Sequence, residues 1–333
     1  MVDKIVAFGD SLTDIGNANL SQACQSEGVF CGDRTSNGLL IVDYIAEKLC
    51  LSVTSSLASL SMTGSVGDNY AVSAARAAED TNDNDFQAQV TGDVGHLTFQ
   101  APADISPKTL YFVFFGGNDV QDALIAAGLS GLEAASDVIH AAIAAMKVNI
   151  EQLIDAGACS FLVIGTFNIA FVPLVTLDAK ASGASIDQVV GAADSLSRSF
   201  NVLLEEMLQD LTIPDDDGCL GIKYIDTITI TEAVLDSEAY EAKFGVFDPE
   251  ASVTDAICNF RYVDPVTGGQ LMGGLPALPE NEIDFECEGL PFYDELHPTT
   301  DFYKLIAERM FDEEVEDFVK QEVRIPRVAQ SKM

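Results

Sequence analysis

The chain has 333 residues, 48% of them hydrophobic, enough to bury a substantial core in one large α/β domain. Acidic residues number 53 against 17 Lys and Arg, a formal net charge of −36, and such a surface repels nucleic-acid phosphates and anionic membranes. Nucleic acid is therefore excluded as a partner. Stable membrane insertion is excluded as well, because no apolar run has the length of a bilayer span.

Lys4–Phe8 reads as a first strand, reached directly from Met1-Val2-Asp3 with no signal-peptide pattern before it. The polar turn Gly9-Asp10-Ser11-Leu12-Thr13-Asp14 follows, and Gly9 permits a tight bend that presents Ser11 at the strand end. A serine in that position is ordinarily a turn or helix-capping residue. Cys24 and Cys31 suit a small disulfide loop in a Ser, Gly and Asp-rich segment. Asn37–Leu49 has apolar positions at helical spacing, and Asn69–Val72 is a short second strand.

Leu110–Phe115 is apolar throughout and reads as a central strand buried on both faces. Directly after it comes Gly116-Gly117-Asn118-Asp119, where two glycines allow close backbone approach and Asn118 offers an amide donor. By itself this is an ordinary Gly/Asn turn. An Ala-rich helix is expected over Leu132–Ala156, a strand over Ser160–Ile164, a helix over Gly183–Leu211 and a last strand over Ile222–Ile225.

Between about 248 and 291 Gly, Pro and acidic residues dominate, which predicts a long functional or irregular loop. A closing helix is expected from Pro298 to Lys320, with a disordered tail at 326–333. The alternation of strands and helices predicts a single doubly wound, flavodoxin-like α/β domain over 1–325, its sheet mostly parallel and helices on both faces.

The seven cysteines leave at least one thiol outside any intrachain pairing. Cys258 and Cys287 bracket the Gly/Pro-rich stretch and could close a loop, whereas Cys50 and Cys159 read as buried thiols. Two bridges imply an oxidising compartment, so a secreted protein with its leader outside this sequence is expected, and a cytoplasmic one is the alternative. No CxxC spacing occurs and histidines number three, so no metal site is expected. The acid excess serves solubility anywhere, and at this size it equally fits saline surroundings.

His140 lies in the Ala-rich helix as a surface or core filler, and His96 has no acidic partner at a telling spacing, Asp93 being the nearest. His297 differs. It sits in Asp294-Glu295-Leu296-His297-Pro298, held at a loop-to-helix junction by Pro298, with Asp294 close enough to orient its ring.

FGDSLTDIGN at 8–17, GGND at 116–119 and DELHP at 294–298 resemble, in this order, the first, third and fifth sequence blocks of the GDSL/SGNH hydrolases. RTSNGLLIVDYIAEKL at 34–49 and Asn69-Tyr70-Ala71-Val72 resemble two more family segments. The resemblance implies a serine esterase or lipase acting on small-molecule or lipid esters, without metal or organic cofactor. Ser11 would be the nucleophile, His297 the base and Asp294 its orienting carboxylate. The Ser11 N–H, the Asn118 amide and the Ala74 N–H would form the oxyanion hole, with Asp10 and Gly117 supporting and Asp14 fixing the loop.

Where the family block reads Gly-Gly, this chain has Ser73-Ala74; a backbone donor survives that change if the required φ is negative, with a methyl narrowing the site. Leu12, Phe292 and Leu296 flank the site as candidate acyl-pocket residues, and Phe115 reads rather as core. Polysaccharide O-deacetylase, phospholipase or acyltransferase activity, and a non-catalytic binding protein on the same fold, are the alternatives. Oligomeric state is not readable.

Overall fold

The computed structural model describes residues 2–18, 34–56, 67–78, 84–91, 93–94, 97–98, 106–213, 218–246, 253–259 and 286–320. The Cys24–Cys31 loop, His96, most of 248–291 and the 326–333 tail lie outside them.

Among the described residues, a parallel sheet is built from β1 (Lys4–Gly9), β4 (Thr109–Phe114), β5 (Ser160–Ile164) and β6 (Gly221–Ile225), in the order β1-β4-β5-β6. A separate antiparallel pair, β2 (Asp93–Val94) and β3 (Leu97–Thr98), stands apart. In-register pairing sets Ile5 beside Leu110 and Phe8 beside Val113. Alternation then sends Val6, Phe8, Tyr111, Val113, Phe161 and Val163 into one apolar layer. Ile5, Ala7, Leu110, Phe112, Leu162 and Ile164 enter the opposite layer. Helices cover both faces, which is why these strands are apolar without polar interruption.

The predicted strand at 69–72 runs along the free edge of β1 without forming a full ladder. Ala7 N–H donates to Asp68 O, Tyr70 N–H to Ala7 O and Val72 N–H to Gly9 O. Asn69 diverts the ladder into side-chain bonds, accepting from Ala71 N–H and donating to Thr13 O. The chain thus turns to opposite sides of β1 before and after this segment. That makes the carboxyl end of β1 the switch point of the sheet, where ligand sites form in open α/β folds.

The helices are α1 (Ile41–Lys48), α2 (Phe86–Thr91), α3 (Gly117–Ser130), α4 (Leu132–Asp155), α5 (Pro173–Ser182), α6 (Ile186–Gln209), α7 (Thr227–Leu235), α8 (Glu238–Phe244) and α9 (Thr300–Met310). A π-helical turn, Phe311–Val315, extends α9 and leads into a short α10 (Glu316–Val319). Helix α1 starts later than periodicity predicts because Ser36 and Asn37 bond the start of the last helix instead. Ser36 Oγ donates to Pro298 O at 2.9 Å, and Asn37 Oδ1 accepts from Thr300 N–H at 2.9 Å. Gly183 does not open the long helix over 186–209. It closes α5 at φ +70, its N–H bonded to the last carbonyls.

Two cysteine expectations are corrected. Cys159 is bridged to Cys219 across 60 residues, because parallel neighbours β5 and β6 begin side by side, with Cα atoms 5.2 Å apart. Cys50 is a free thiol but an exposed one, set just past the end of α1 at φ +57. Cys258 and Cys287 are joined as their spacing predicts.

Candidate active site

Ser11 lies two residues beyond β1 in a turn closed by Thr13 N–H and Asp14 N–H, both donating to Asp10 O. Gly9 is obligatory there, since a Cβ would stand 2.7 Å from Phe114 O. The buried Gln89 side chain grips the same residue: its Oε1 accepts from Gly9 N–H at 3.0 Å and its Nε2 donates to Gly9 O at 2.8 Å. The Asp14 carboxylate collects the N–H groups of Gly16, Asn17, Ala18 and Ser73 and the Ser73 hydroxyl. Asn17 Nδ2 donates to Asn69 O and Ala71 O. The serine turn and the 69–73 segment are therefore one hydrogen-bonded unit.

His297 comes from the other end of the chain, on the loop before α9. Its Nε2 is 2.9 Å from Ser11 Oγ, and its Nδ1 is 3.0 Å from both Asp294 oxygens. Asp294 also accepts the backbone N–H of Leu296 and of His297, closing the loop around itself. Asp294 is buried, while Ser11 and His297 each keep 8% of their surface open. A hydroxyl, an imidazole and a buried carboxylate in that chain can move a proton from Ser11 Oγ to Nε2 and stabilise the resulting imidazolium.

Asn118 stands in the first turn of α3, not in a simple turn. Gly116 caps the helix at φ +118, where a Cβ would collide with the Phe200 ring at 2.6 Å. Asn118 Nδ2 donates to Ala75 O at 2.8 Å, and Asp119 accepts from Ala77 and Ala78 N–H. The start of α3 thus holds the 74–78 segment and aims its positive dipole end toward the site. Gly117 borders Asp10, but a Cβ there would meet Asp10 Oδ2 at an ordinary 3.7 Å, so space does not require glycine.

Ala74 requires correction. Its φ is +66, in the left-handed region, so the donor at this position does not rest on a negative φ. Alanine holds that conformation at roughly 1–2 kcal/mol of strain, and it is exposed rather than on the cavity wall.

Burial pushes the Asp10 carboxyl up to about 7, with the charge of Asp119 adding to the rise and the Leu12 N–H and His297 opposing it. Burial likewise pushes Asp119 up to about 6 against the pull of the Ala77 and Ala78 N–H groups.

Ser11 and His297 open on a cavity of about 750 Å³, part of it continuous with solvent. Leu12, Phe292 and Leu296 line it, whereas Phe115 packs on Phe86 in the core at 4.7 Å between rings. The segment 166–172 after β5 supplies Thr166, Phe167, Asn168, Ile169, Phe171 and Val172 to the wall, a contribution signalled only by its place at a strand's carboxyl end. Gln121, Thr231, Leu235, Phe302 and Ile306 line it from three helices. No Lys or Arg lines it among the described residues.

The family model described as GDSL-like Lipase/Acylhydrolase matches residues 5–310, from β1 through α9. The chain belongs to the GDSL-like lipase/acylhydrolase family. As a GDSL hydrolase it is 23% identical, over 94% of its length and 86% of the other's, to a GDSL esterase/lipase of Arabidopsis thaliana. An extracellular lipase from Streptomyces rimosus aligns over 68% of this chain and 81% of its own, at 18% identity and TM-score 0.32. The family match takes in the GDSL serine turn, the start of α3 and the His297 loop, the three places the hydrogen-bonded site draws on.

Proposed function

We propose that this GDSL hydrolase is a serine esterase that cleaves uncharged carboxylic esters with apolar acyl groups through an acyl-enzyme on Ser11. The observation that carries the reading is the Asp294–His297–Ser11 hydrogen-bond chain opening on an apolar cavity. Ser11 Oγ attacks the ester carbonyl as His297 Nε2 takes its proton, and His297 then returns that proton to the departing alcohol. Asp294 fixes the ring with Nδ1 protonated. Water, deprotonated by His297, attacks the acyl-Ser11 carbonyl, and the acid leaves as Ser11 regains its proton.

The oxyanion is held by the Ser11 N–H and by the Asn118 amide proton not engaged by Ala75 O. Among the described residues the wall carries no Lys or Arg to pair with an anionic head group, which favours neutral esters. The disulfides Cys159–Cys219 and Cys258–Cys287 support a secreted location. No helix among the described residues is long and apolar enough to cross a membrane.

A fluorophosphonate probe tests the nucleophile. The expected result is one covalent adduct, mapped by mass spectrometry to Ser11 and absent in Ser11→Ala. Labelling elsewhere, or full labelling of the variant, would overturn the assignment.

A further inference from the structure

The helical hairpin formed by α3 and α4 leaves an apolar tip unexplained by the site. Between Asp122 and Glu133 no residue is ionisable, in a chain of net charge −36. Leu124 and Ala127 pack toward the core. Leu129 and Leu132, either side of Gly131, are 82% and 75% exposed. Scattered apolar side chains on a surface are ordinary, but two adjacent leucines on a charge-free projection are not.

The topology places this tip on the same side of the sheet as Ser11. Helix α3 starts at the carboxyl edge, three residues after Phe114 ends β4, and α4 ends near the amino edge, just before Ser160 opens β5. Helix α4 has 24 residues, about 36 Å at 1.5 Å each, whereas the five residues of β5 span about 17 Å. The turn at Gly131 therefore overhangs the carboxyl edge by roughly 15–20 Å, even allowing for modest tilt. Gln121, on the cavity wall, and Leu129 lie on the same helix, about 12 Å apart along its axis.

The geometry points to the α3–α4 tip as a docking element that seats the enzyme on the surface of an uncharged lipid aggregate, the cavity mouth facing it. The choice of occupant follows from charge. An anionic surface and a second copy of this chain are both repelled by −36 charges, whereas a neutral or zwitterionic surface is not, and it accepts two leucines without a counter-ion. Its use in catalysis rests on the esterase reading above; the binding itself does not.

The test separates the two. Full-length protein carrying Ser11→Ala is floated with phosphatidylcholine vesicles and, in parallel, with phosphatidylglycerol vesicles. The expected result is binding to phosphatidylcholine that weakens roughly tenfold or more in the added pair Leu129→Ser/Leu132→Ser, since two partly inserted leucines carry that much transfer energy. On the Ser11 background the same pair should hydrolyse monomeric p-nitrophenyl butyrate at the rate of the unaltered enzyme, which also reports that it is folded. Equal vesicle binding with and without the leucines, stronger binding to phosphatidylglycerol, or a dimer in light scattering that the pair dissolves would each overturn the proposal. Vesicle binding without any ester hydrolysis would sink the esterase reading and leave the docking element standing.

Discussion

Replacing Asp10 by Asn should make the protein more stable, and increasingly so as pH rises. The Asn side chain keeps an oxygen where Asp10 Oδ1 accepts the Leu12 N–H at 3.0 Å, so the turn under Ser11 retains its bond. What it removes is a buried carboxylate that folding forces up from an ordinary 3.8 to about 7. A carboxyl raised on folding binds its proton more tightly in the folded state, so the folded protein loses stability as pH climbs above 3.8, with the loss complete only above 7. Fully developed, that gap corresponds to roughly 4 kcal/mol. About half is already present at pH 5.5, so the advantage of Asp10→Asn over wild type should grow by about 2 kcal/mol between pH 5.5 and 8.5. Asp119, raised to about 6, ionises in the same range in both proteins, so its own loss cancels in the comparison. Urea denaturation of both proteins at the two pH values measures the difference directly. An advantage that is constant or shrinks with pH would show that Asp10 stays ionised throughout, and the burial argument would fail.

Three further outcomes follow from the site and the charge. Asn118→Ala should lower kcat by roughly 10²–10³ with KM little changed, the scale of one oxyanion donor; an effect confined to KM in steady-state assays would place the amide on the ground-state substrate instead. Ala74→Gly should relieve the strain of φ +66 and, after the added chain entropy of glycine, stabilise by about 0.5–1 kcal/mol with activity retained; a lower melting temperature would refute the strain. The melting temperature should rise between 0.01 M and 0.2 M NaCl, as the screening length falls from about 30 Å to under 10 Å. Among the described residues at least eleven of the 17 Lys and Arg already face a carboxylate, leaving most of the 53 acids to repel one another, and a flat thermal profile in that range would show the acids to be well spaced.

The parts of the fold readable from sequence are those whose cause is local. LYFVFF and SFLVI are strands because an uninterrupted apolar run of that length suits a place buried on both faces, and they fall within a residue of β4 and β5. Features caused by neighbours in space were not readable. Cys159 meets Cys219 because two parallel strands start together, and a spacing of 60 residues carries no trace of that. Gly116-Gly117 looked like a turn because glycine serves turns and helix caps alike, and the Phe200 ring that forbids a Cβ there arrives from α6.

The site divides along the same line. Ser11, Asp294 and His297 each sit where a strand or loop meets a sharp local bend, so Gly9, Pro298 and the three-residue offset of Asp294 mark them in the sequence. Their mutual geometry depends on parts that leave no such mark. Gln89, inside FQAQV, looks like any solvent-facing glutamine, yet it holds Gly9 from 80 positions away. Ala74 hides its left-handed backbone because alanine, unlike glycine, advertises no positive φ, and the conformation is imposed from outside. Ser73 N–H on Asp14 fixes one side of it, and Ala75 O on Asn118 fixes the other. A segment clamped between the serine turn and the start of α3 has no freedom to relax, so its strain persists beside the site. The proposed chemistry was thus legible through the resemblance of the blocks at these bends to the GDSL/SGNH hydrolases, while the positioning it needs is written in contacts between distant segments.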